Sequence, residues 1–126
     1  GDMARRDADG YIHLVDRKSN MIISGGENIY PSEVEAVLGA HPAIQDVAVI
    51  GLADAKWGER VHAVVVLHEG MDLREQELID WTRDKIAGFK RPRSCSFLAE
   101  SQMPRTATGK IQHRILKTQM SNDQGG

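Results

Sequence analysis

Short apolar runs, separated by polar and glycine-rich segments, predict a chain built from several strands and helices. The apolar runs at 11–15 and 21–23 predict two short strands that form a small hairpin ahead of the main body. Further strands are predicted at 46–50, 61–67 and 93–98. The second of these is apolar enough for both of its faces to be covered. Residues 51–58 and 101–110 are predicted to be connecting loops.

Three segments carry apolar residues at helical spacing. The first begins at residues 32–35, which have the pattern of a capping box, and it ends at Gly39. The second begins at a similar cap, residues 72–75, and ends at Gly88. A short terminal helix follows the second loop, and a disordered tail is predicted at 121–126. This order predicts an α+β domain with a small mixed sheet of about three strands, flanked by helices and preceded by a short β-hairpin.

Composition and charge narrow the classes of function. The 126 residues are 40% hydrophobic and 27% charged, with a formal net charge of -2. This is typical of a globular domain and argues against a nucleic-acid or membrane-surface binder. The charge is uneven, because residues 83–117 include nine basic and two acidic side chains. That segment suits either a small anionic ligand such as a phosphate or a solvated charged face. With one cysteine, Cys95, and no apolar run long enough for a membrane span, we expect a cytoplasmic protein.

Three segments are richer in glycine, lysine and arginine than packing requires. Residues 24–28 contain paired glycines that let a backbone approach a ligand closely or form a tight hairpin turn. Residues 88–93 place three cations around a proline beside an aromatic, which suits a phosphate and a stacked base, or a charged connection. In 104–110 a lysine follows a glycine and either points into a site or is solvated. A Walker A loop is excluded because Pro104 stands where that motif needs Gly and Ile111 stands where it needs Ser or Thr. The histidines lack metal-ligand spacing, so no metal site is predicted.

The ordered combination of segments is more specific than any one of them. The segments are Gly1-Asp2, 16–18, 22–35, Trp57-Gly58-Glu59, 89–92 and 104–110. Together they resemble the C-terminal domain of the AMP-forming acyl-CoA synthetases, in the adenylate-forming superfamily with luciferases and peptide-synthetase adenylation domains. The resemblance covers residues 1–120, which we therefore expect to form the C-terminal, lid domain of such a ligase.

The resemblance implies a two-step reaction of a larger enzyme. A carboxylic acid and ATP give an acyl-adenylate and pyrophosphate, and the thiol of coenzyme A then converts the adenylate to acyl-CoA and AMP. The C-terminal domain would swing between two orientations, one for each half-reaction. Its partners would be the carboxylic acid, ATP, coenzyme A and its own large N-terminal domain, which would bind Mg together with ATP. That large domain is absent from these residues, so we expect the chain alone to be inactive.

Individual residues carry over from the resemblance. Lys110 matches the adenylation lysine, whose ammonium would stabilise charge between the carboxylate and the α-phosphate. Asp2 and Arg17 match residues that contact the ribose or phosphate of ATP. The residues that match the coenzyme A face are Gly25, Gly26, Trp57, Phe89, Lys90, Arg91 and Arg93. Relatives carry Asp or Lys at the hinge where Ser19 stands here, so either Lys18 or Ser19 would be the pivot.

Two alternatives remain open at this point. The chain could belong to an adenylation domain that loads a carrier protein, or it could be a stand-alone, non-catalytic binding domain. The basic and aromatic residues at 57 and 89–93 favour free coenzyme A over a carrier. The 24–31 segment is more similar to ligases of medium-chain, long-chain or aromatic acids than to acetate-specific enzymes. The resemblance also makes Lys110 a target for a lysine acetyltransferase, which would remove the charge that the lysine uses.

Overall fold

The described part of the chain begins with a short β-hairpin. The computed structural model describes residues 20–125, with side chains to residue 122. Strand β1 (Ile22–Ser24) pairs antiparallel with β2 (Glu27–Ile29) across a two-glycine turn. The predicted hairpin of 11–15 with 21–23 stays a prediction, because 11–15 lies outside the described residues; within them, the strand pairs with β2. The paired glycines allow such a tight turn because both can adopt positive φ.

The central feature of the sheet is a long antiparallel hairpin. It consists of β3 (Ile44–Asp54) and β4 (Gly58–Leu67), which pair along their whole length. The predicted loop at 51–58 is too long, because β3 continues to Asp54 and β4 begins at Gly58, so that residues 55–57 form the connection. Ile50 and Leu52 are both buried in the same core cluster, so the alternating pattern carries the strand past its expected end.

Strand β4 is the middle strand of a five-stranded mixed sheet. Along one edge it pairs with β3. Along its other edge it pairs with β1 through Ser24 and Gly58, and in parallel with β5 (Ser94–Phe97). The parallel β5 makes the sheet mixed, as predicted, and the β1–β2 hairpin joins the sheet as its outer part.

Helices cover both faces of the sheet. Helix α1 (Pro31–Leu38) and helix α2 (Glu75–Trp81) contribute to the core on one face, and α3 (His113–Gly125) contributes to the core on the other. The first core includes Ile22, Ile29, Val34, Leu38, Val49, Val65 and Leu78, and the second includes Ala48, Ile50, Leu52, Val64, Met103, Leu116 and Met120. Two short 3-10 turns lie at 88–90 and 100–102. The α+β fold class is confirmed.

The predicted cap of α1 at residues 32–35 is wrong. Tyr30 is the N-cap residue, and Pro31 occupies the first turn, where its missing N–H costs nothing. The Glu35 carboxylate, expected to cap the helix, instead accepts the N–H of Val49 at 2.9 Å. A tertiary hydrogen bond therefore takes the side chain that the local pattern assigns to the helix end.

Helix α2 also begins and ends at other places than predicted. The Glu77 carboxylate accepts the N–H of Arg74 at 2.8 Å, so the cap lies two residues after the one predicted at 72–75. The helix ends at Trp81, before the glycine expected to end it. The hydroxyl of Thr82 donates to a carbonyl oxygen of the last turn at 2.7 Å, which satisfies that helix end.

The terminal helix is longer than the sequence pattern indicates. Helix α3 runs from His113 to Gly125 and so overlaps the segment 121–126, for which a disordered tail is predicted. No helix in the described residues combines the length and apolar character that crossing a membrane requires.

Candidate functional site

Four of the predicted site residues lie outside the described part of the chain. These are Asp2 and Arg17, predicted to contact ATP, and the hinge candidates Lys18 and Ser19. Their roles stay predictions. Of the eight remaining site residues, Lys110 lies on one surface, and the glycine turn, Trp57 and Arg93 lie together on another.

Lys110 lies at the end of a polar loop that folds back on itself. The N–H of Thr106 donates to the Lys110 carbonyl oxygen at 2.8 Å, and the Lys110 N–H donates to the Thr106 hydroxyl at 3.1 Å. Gly109 has a φ of 93°, a conformation that residues with a Cβ rarely adopt. The loop thus fixes the backbone of Lys110 while the lysine itself is exposed.

Arg105 ties this loop to the central hairpin. Its guanidinium donates to Asp46 on β3 at 2.5 Å, to Glu100 at 3.0 Å and to the Gly109 carbonyl at 3.1 Å. The hydrogen bond to Asp46, followed by the attraction of both carboxylates, raises the pKa of Arg105. The arginine stands inside the motif of residues 104–110, but its partner on β3 is far away in sequence, so sequence reasoning gave it no role.

The Lys110 loop borders a cavity of about 570 Å³. Its lining includes Glu35, Asp46, Arg105, Lys110 and His113. The Glu35 carboxylate lies 2.6 Å from Nε2 of His113, which links α1 to the start of α3. Charges of both signs therefore converge beside Lys110, an arrangement that suits a polar or charged substrate.

The glycine turn between β1 and β2 packs against Trp57. Gly25 has a φ of 58° and Gly26 a φ of 84°, as a two-residue hairpin turn requires. The Gly25 N–H donates to the Trp57 carbonyl oxygen at 2.8 Å, and a Cβ on Gly25 would lie 2.9 Å from Cε3 of the indole ring. A Cβ on Gly26 would meet nothing within 4 Å. Gly25 is therefore needed for a close approach, whereas Gly26 leaves its backbone open to the surroundings.

Two cations lie over the Trp57 ring. The Arg93 guanidinium carbon is 3.9 Å from the ring centroid and the Lys56 ammonium is 5.0 Å from it. The Asp54 carboxylate accepts the N–H groups of Lys56 and Trp57 at 2.8 and 3.0 Å, which holds the turn that carries the ring. These two backbone hydrogen bonds lower the pKa of Asp54. Sequence reasoning missed Lys56, although it directly precedes the tryptophan.

The remaining predicted coenzyme A residues differ in their surroundings. Arg91 and Arg93 line a second cavity of about 260 Å³. Lys90 donates to the Glu33 carboxylate on α1 at 2.6 Å, and its ammonium lies 5.6 Å from the Phe89 ring centroid. The structure therefore brings Arg93 onto the Trp57 ring with Arg91 beside it, whereas Lys90 is held by a carboxylate and Phe89 is exposed.

The two surfaces lie at opposite ends of the central hairpin. The Lys110 loop is anchored at Asp46 near the start of β3, and the Trp57 turn follows Asp54 at the end of that strand. At about 3.3 Å per residue, these two anchors are about 26 Å apart along the strand. A ligand that fills one surface is therefore well separated from the other.

His62 is a buried histidine within the sheet. It is 4% exposed, and its ring nitrogens lie 2.7 Å from the Ser94 hydroxyl and 2.8 Å from the Ser96 hydroxyl. Burial lowers the pKa of His62 to about 4, with a smaller contribution from the nearby Arg60 charge. The imidazole is thus neutral at pH 7, and both of its nitrogens have hydroxyl partners.

A metal site of the chain's own is not supported by the described residues. Within them, no three His, Cys, Asp or Glu side chains are arranged to hold a metal ion.

Comparison with known proteins identifies the relatives of this chain. It is 50% identical over 111 residues to feruloyl-CoA synthase from Amycolatopsis sp, a match that covers 88% of this chain and 22% of that protein. It is 43% identical over 121 residues to the long-chain-fatty-acid–CoA ligase FadD13 of Mycobacterium tuberculosis, covering 96% of this chain and 24% of that protein. The chain thus spans less than a quarter of the length of these relatives.

Solved structures and a family model agree with these relatives. The crystal structure of ATP-bound MatB from Rhodopseudomonas palustris matches 84% of this chain and 21% of that chain, with a TM-score of 0.78 and 32% identity. The model of the AMP-binding enzyme C-terminal domain matches residues 33–110. Because that match covers more than half of this chain, the chain belongs to the AMP-binding enzyme C-terminal domain family.

Proposed function

We propose that this chain is the mobile C-terminal domain of an ATP-dependent, AMP-forming acyl-CoA ligase. Such an enzyme converts a carboxylic acid, ATP and coenzyme A to acyl-CoA, AMP and pyrophosphate. The proposal is supported by family membership and by relatives named feruloyl-CoA synthase and long-chain-fatty-acid–CoA ligase. Residues 1–120 would form the domain, and the rest of the enzyme would supply the acyl pocket and the sites for ATP and its Mg.

Lys110 is proposed to act in the adenylation half-reaction. Its loop is fixed by hydrogen bonds within 104–110 and by the clamp of Arg105, so the ammonium starts from a defined backbone position. Negative charge builds between the attacking carboxylate and the α-phosphate, and a positioned cation stabilises that charge in the transition state. Asp2 and Arg17 would contact the ribose and phosphate of the same ATP.

The glycine turn and the Trp57 surface are proposed to bind coenzyme A in the second half-reaction. The backbone of Gly25 and Gly26 would line the path of the pantetheine arm, because neither residue has a side chain to block it. The exposed Phe89 would offer an aromatic face for adenine, Trp57 would offer its ring where the Arg93 guanidinium does not cover it, and Arg91 and Arg93 would offer cations for the phosphates of coenzyme A.

Lys90 is proposed to contribute to the same phosphate surface. Its ammonium is paired with Glu33, so it would have to leave that carboxylate to reach a phosphate. Within the described residues, neither Arg91 nor Arg93 is paired with a carboxylate, so these two would carry more of the attraction.

The observation that carries the proposal is the separation of the two surfaces. The anchors of the Lys110 loop and of the Trp57 turn lie about 26 Å apart on β3, so both surfaces cannot serve one reaction centre in one orientation. A rotation of the domain about a hinge at Lys18 or Ser19 would present each surface in turn. Each surface would then work in its own half-reaction.

The test uses the full-length protein that contains this chain. It is assayed for pyrophosphate exchange with a panel of aromatic and fatty acids, and then for transfer of the acyl group to coenzyme A or to a purified acyl carrier protein. We expect acid-dependent exchange and transfer to coenzyme A. Transfer to the carrier protein alone would instead identify a carrier-loading adenylation domain, and the absence of any exchange would favour a binding domain without catalysis.

Two further parts of the proposal concern the setting of the enzyme. A cytoplasmic location would give it ATP and coenzyme A. A lysine acetyltransferase would reach the exposed Lys110, and acetylation would remove the positive charge on which adenylation depends.

A further inference from the structure

The carboxylate of Glu59 joins three elements of the fold. Its Oε1 accepts the N–H of Ile23 on β1 at 3.0 Å, and its Oε2 accepts a hydrogen bond from the Lys117 ammonium on α3 at 2.9 Å. The carboxylate also lies over Gly51 of β3, where an added Cβ would come within 3.0 Å of it. Glu59 thus lies at a junction of β1, β3 and α3, directly after the Trp57-Gly58 turn.

In the described part of the chain, few backbone pairs hold the β1–β2 hairpin that Glu59 contacts to β4. Its base is anchored by the buried side chains of Ile22 and Ile29. Nearer the turn, the backbone contacts in the described part of the chain are the Ser24–Gly58 pair with β4 and the hydrogen bond from the Gly25 N–H to the Trp57 carbonyl oxygen, just before β4. The bond from Ile23 to Glu59 is therefore a side-chain contact that helps to fix where the glycine turn stands relative to the indole ring.

We propose that Glu59, held by Lys117, is a positioning residue that sets the Gly25–Gly26 turn against Trp57 for the thioester-forming half-reaction. This rests on the proposed function, in which the glycine backbone lines the path of coenzyme A. Glu59 does not touch that substrate. It acts through the N–H of Ile23, two residues before the turn.

The contacts of Glu59 with the Ile23 N–H and with Lys117 contribute unequally to the position of the turn. The carboxylate accepts from a backbone N–H, and a charge-assisted bond of this kind is stronger than a neutral one. Lys117 is half-exposed, so its ion pair adds less by itself and serves mainly to orient the carboxylate. Loss of the carboxylate should therefore matter more than loss of the ammonium.

The experiment uses the full-length ligase and three variants. Glu59→Ala removes both contacts, Glu59→Gln keeps an oxygen for the Ile23 N–H, and Lys117→Met removes only the ion pair. Asp84→Asn is the matched control, since it breaks an exposed ion pair with Lys85 that involves neither the hairpin nor α3. The two half-reactions are measured separately, by pyrophosphate exchange and by acyl-CoA formation from supplied acyl-adenylate.

We expect Glu59→Ala to raise the KM for coenzyme A about tenfold while pyrophosphate exchange changes less than about twofold. Glu59→Gln and Lys117→Met should each show a smaller rise, and Asp84→Asn none. Equal losses in both half-reactions would mean a general structural role and would overturn the proposal, as would an unchanged KM for coenzyme A in Glu59→Ala.

Fluorescence gives a readout that does not depend on activity. In a Trp81→Phe background, Trp57 is the remaining tryptophan of this chain, so the comparison is made on the chain itself. Displacement of the turn in Glu59→Ala should expose the ring and shift its emission to longer wavelength, and an unshifted spectrum contradicts the positioning role. If the wild-type ligase forms no acyl-CoA but Glu59→Ala still shifts the emission, the proposed function is wrong and the positioning of the turn by Glu59 stands.

Discussion

Alanine at Gly25 should destabilise the fold more than alanine at its neighbour Gly26. Both residues have positive φ, so either substitution costs about 1–2 kcal/mol of backbone strain. At Gly25 the new methyl group would also lie 2.9 Å from Cε3 of Trp57, whereas at Gly26 it would meet nothing within 4 Å. Overpacking of that kind costs about 1–3 kcal/mol. The difference between the two variants should therefore be about 1–3 kcal/mol in the free energy of unfolding.

The assay is urea unfolding of the chain and of both alanine variants. A fall in the midpoint with an unchanged m-value reports a change in stability rather than in compactness. The clash is isolated by repeating both substitutions in a Trp57→Leu background. There, Gly25→Ala should cost about as much as Gly26→Ala, because the atom that the methyl group meets is gone.

Two results would refute the reasoning about Gly25. One is an equal loss of stability for the two alanine variants in the presence of Trp57. The other is an excess cost at Gly25 that survives in the Trp57→Leu background. Either result would mean that the close approach of the turn to the indole ring does not constrain residue 25.

Other predictions follow from the core and from the Lys110 loop. The pKa of His62 is lowered from 6.5 to about 4 in the fold, so the unfolded chain binds more protons between these values. The contribution of His62 to the free energy of unfolding should therefore be fully present above pH 6.5 and should fall by about 3 kcal/mol as the pH drops to 4. His62→Gln should flatten this slope in urea titrations, and an equal slope in both proteins would contradict the assignment. Arg105→Met should lower the rate of pyrophosphate exchange about tenfold or more by freeing the loop, with Arg105→Lys in between, and an unchanged rate would exclude the clamp.

The local pattern of the sequence predicts the core strands but not where they end. The valine-rich run in β4 is buried, as its composition indicates. The end of β3 is missed because Gly51 and Asp54 are typical of turns. In the fold, the glycine is a strand residue whose missing side chain makes room for the Glu59 carboxylate. A contact between two strands therefore overrides a local turn signal.

The motifs predict which residues matter but not how they are held. Lys110 and Trp57 stand in short segments whose residue types are visible along the chain. Arg105 is held by Asp46, 59 positions away, and the arginine that covers Trp57 comes from beyond β4. Such pairs depend on how the strands and loops pack, and no spacing in the sequence reports them. The same holds for Glu35, whose carboxylate contacts Val49 on β3 and His113 on α3 instead of capping its own helix.

The most direct measurement is the effect of Lys110→Ala on the two half-reactions of the full-length ligase, with Lys85→Ala as a control outside both surfaces. Removing a cation that stabilises the adenylation transition state should lower pyrophosphate exchange by about 10²–10³-fold. Acyl-CoA formation from supplied acyl-adenylate should stay within about twofold of wild type, because it uses the surface at the other end of the hairpin. Equal losses in both half-reactions would contradict the account of one domain with two separate working surfaces.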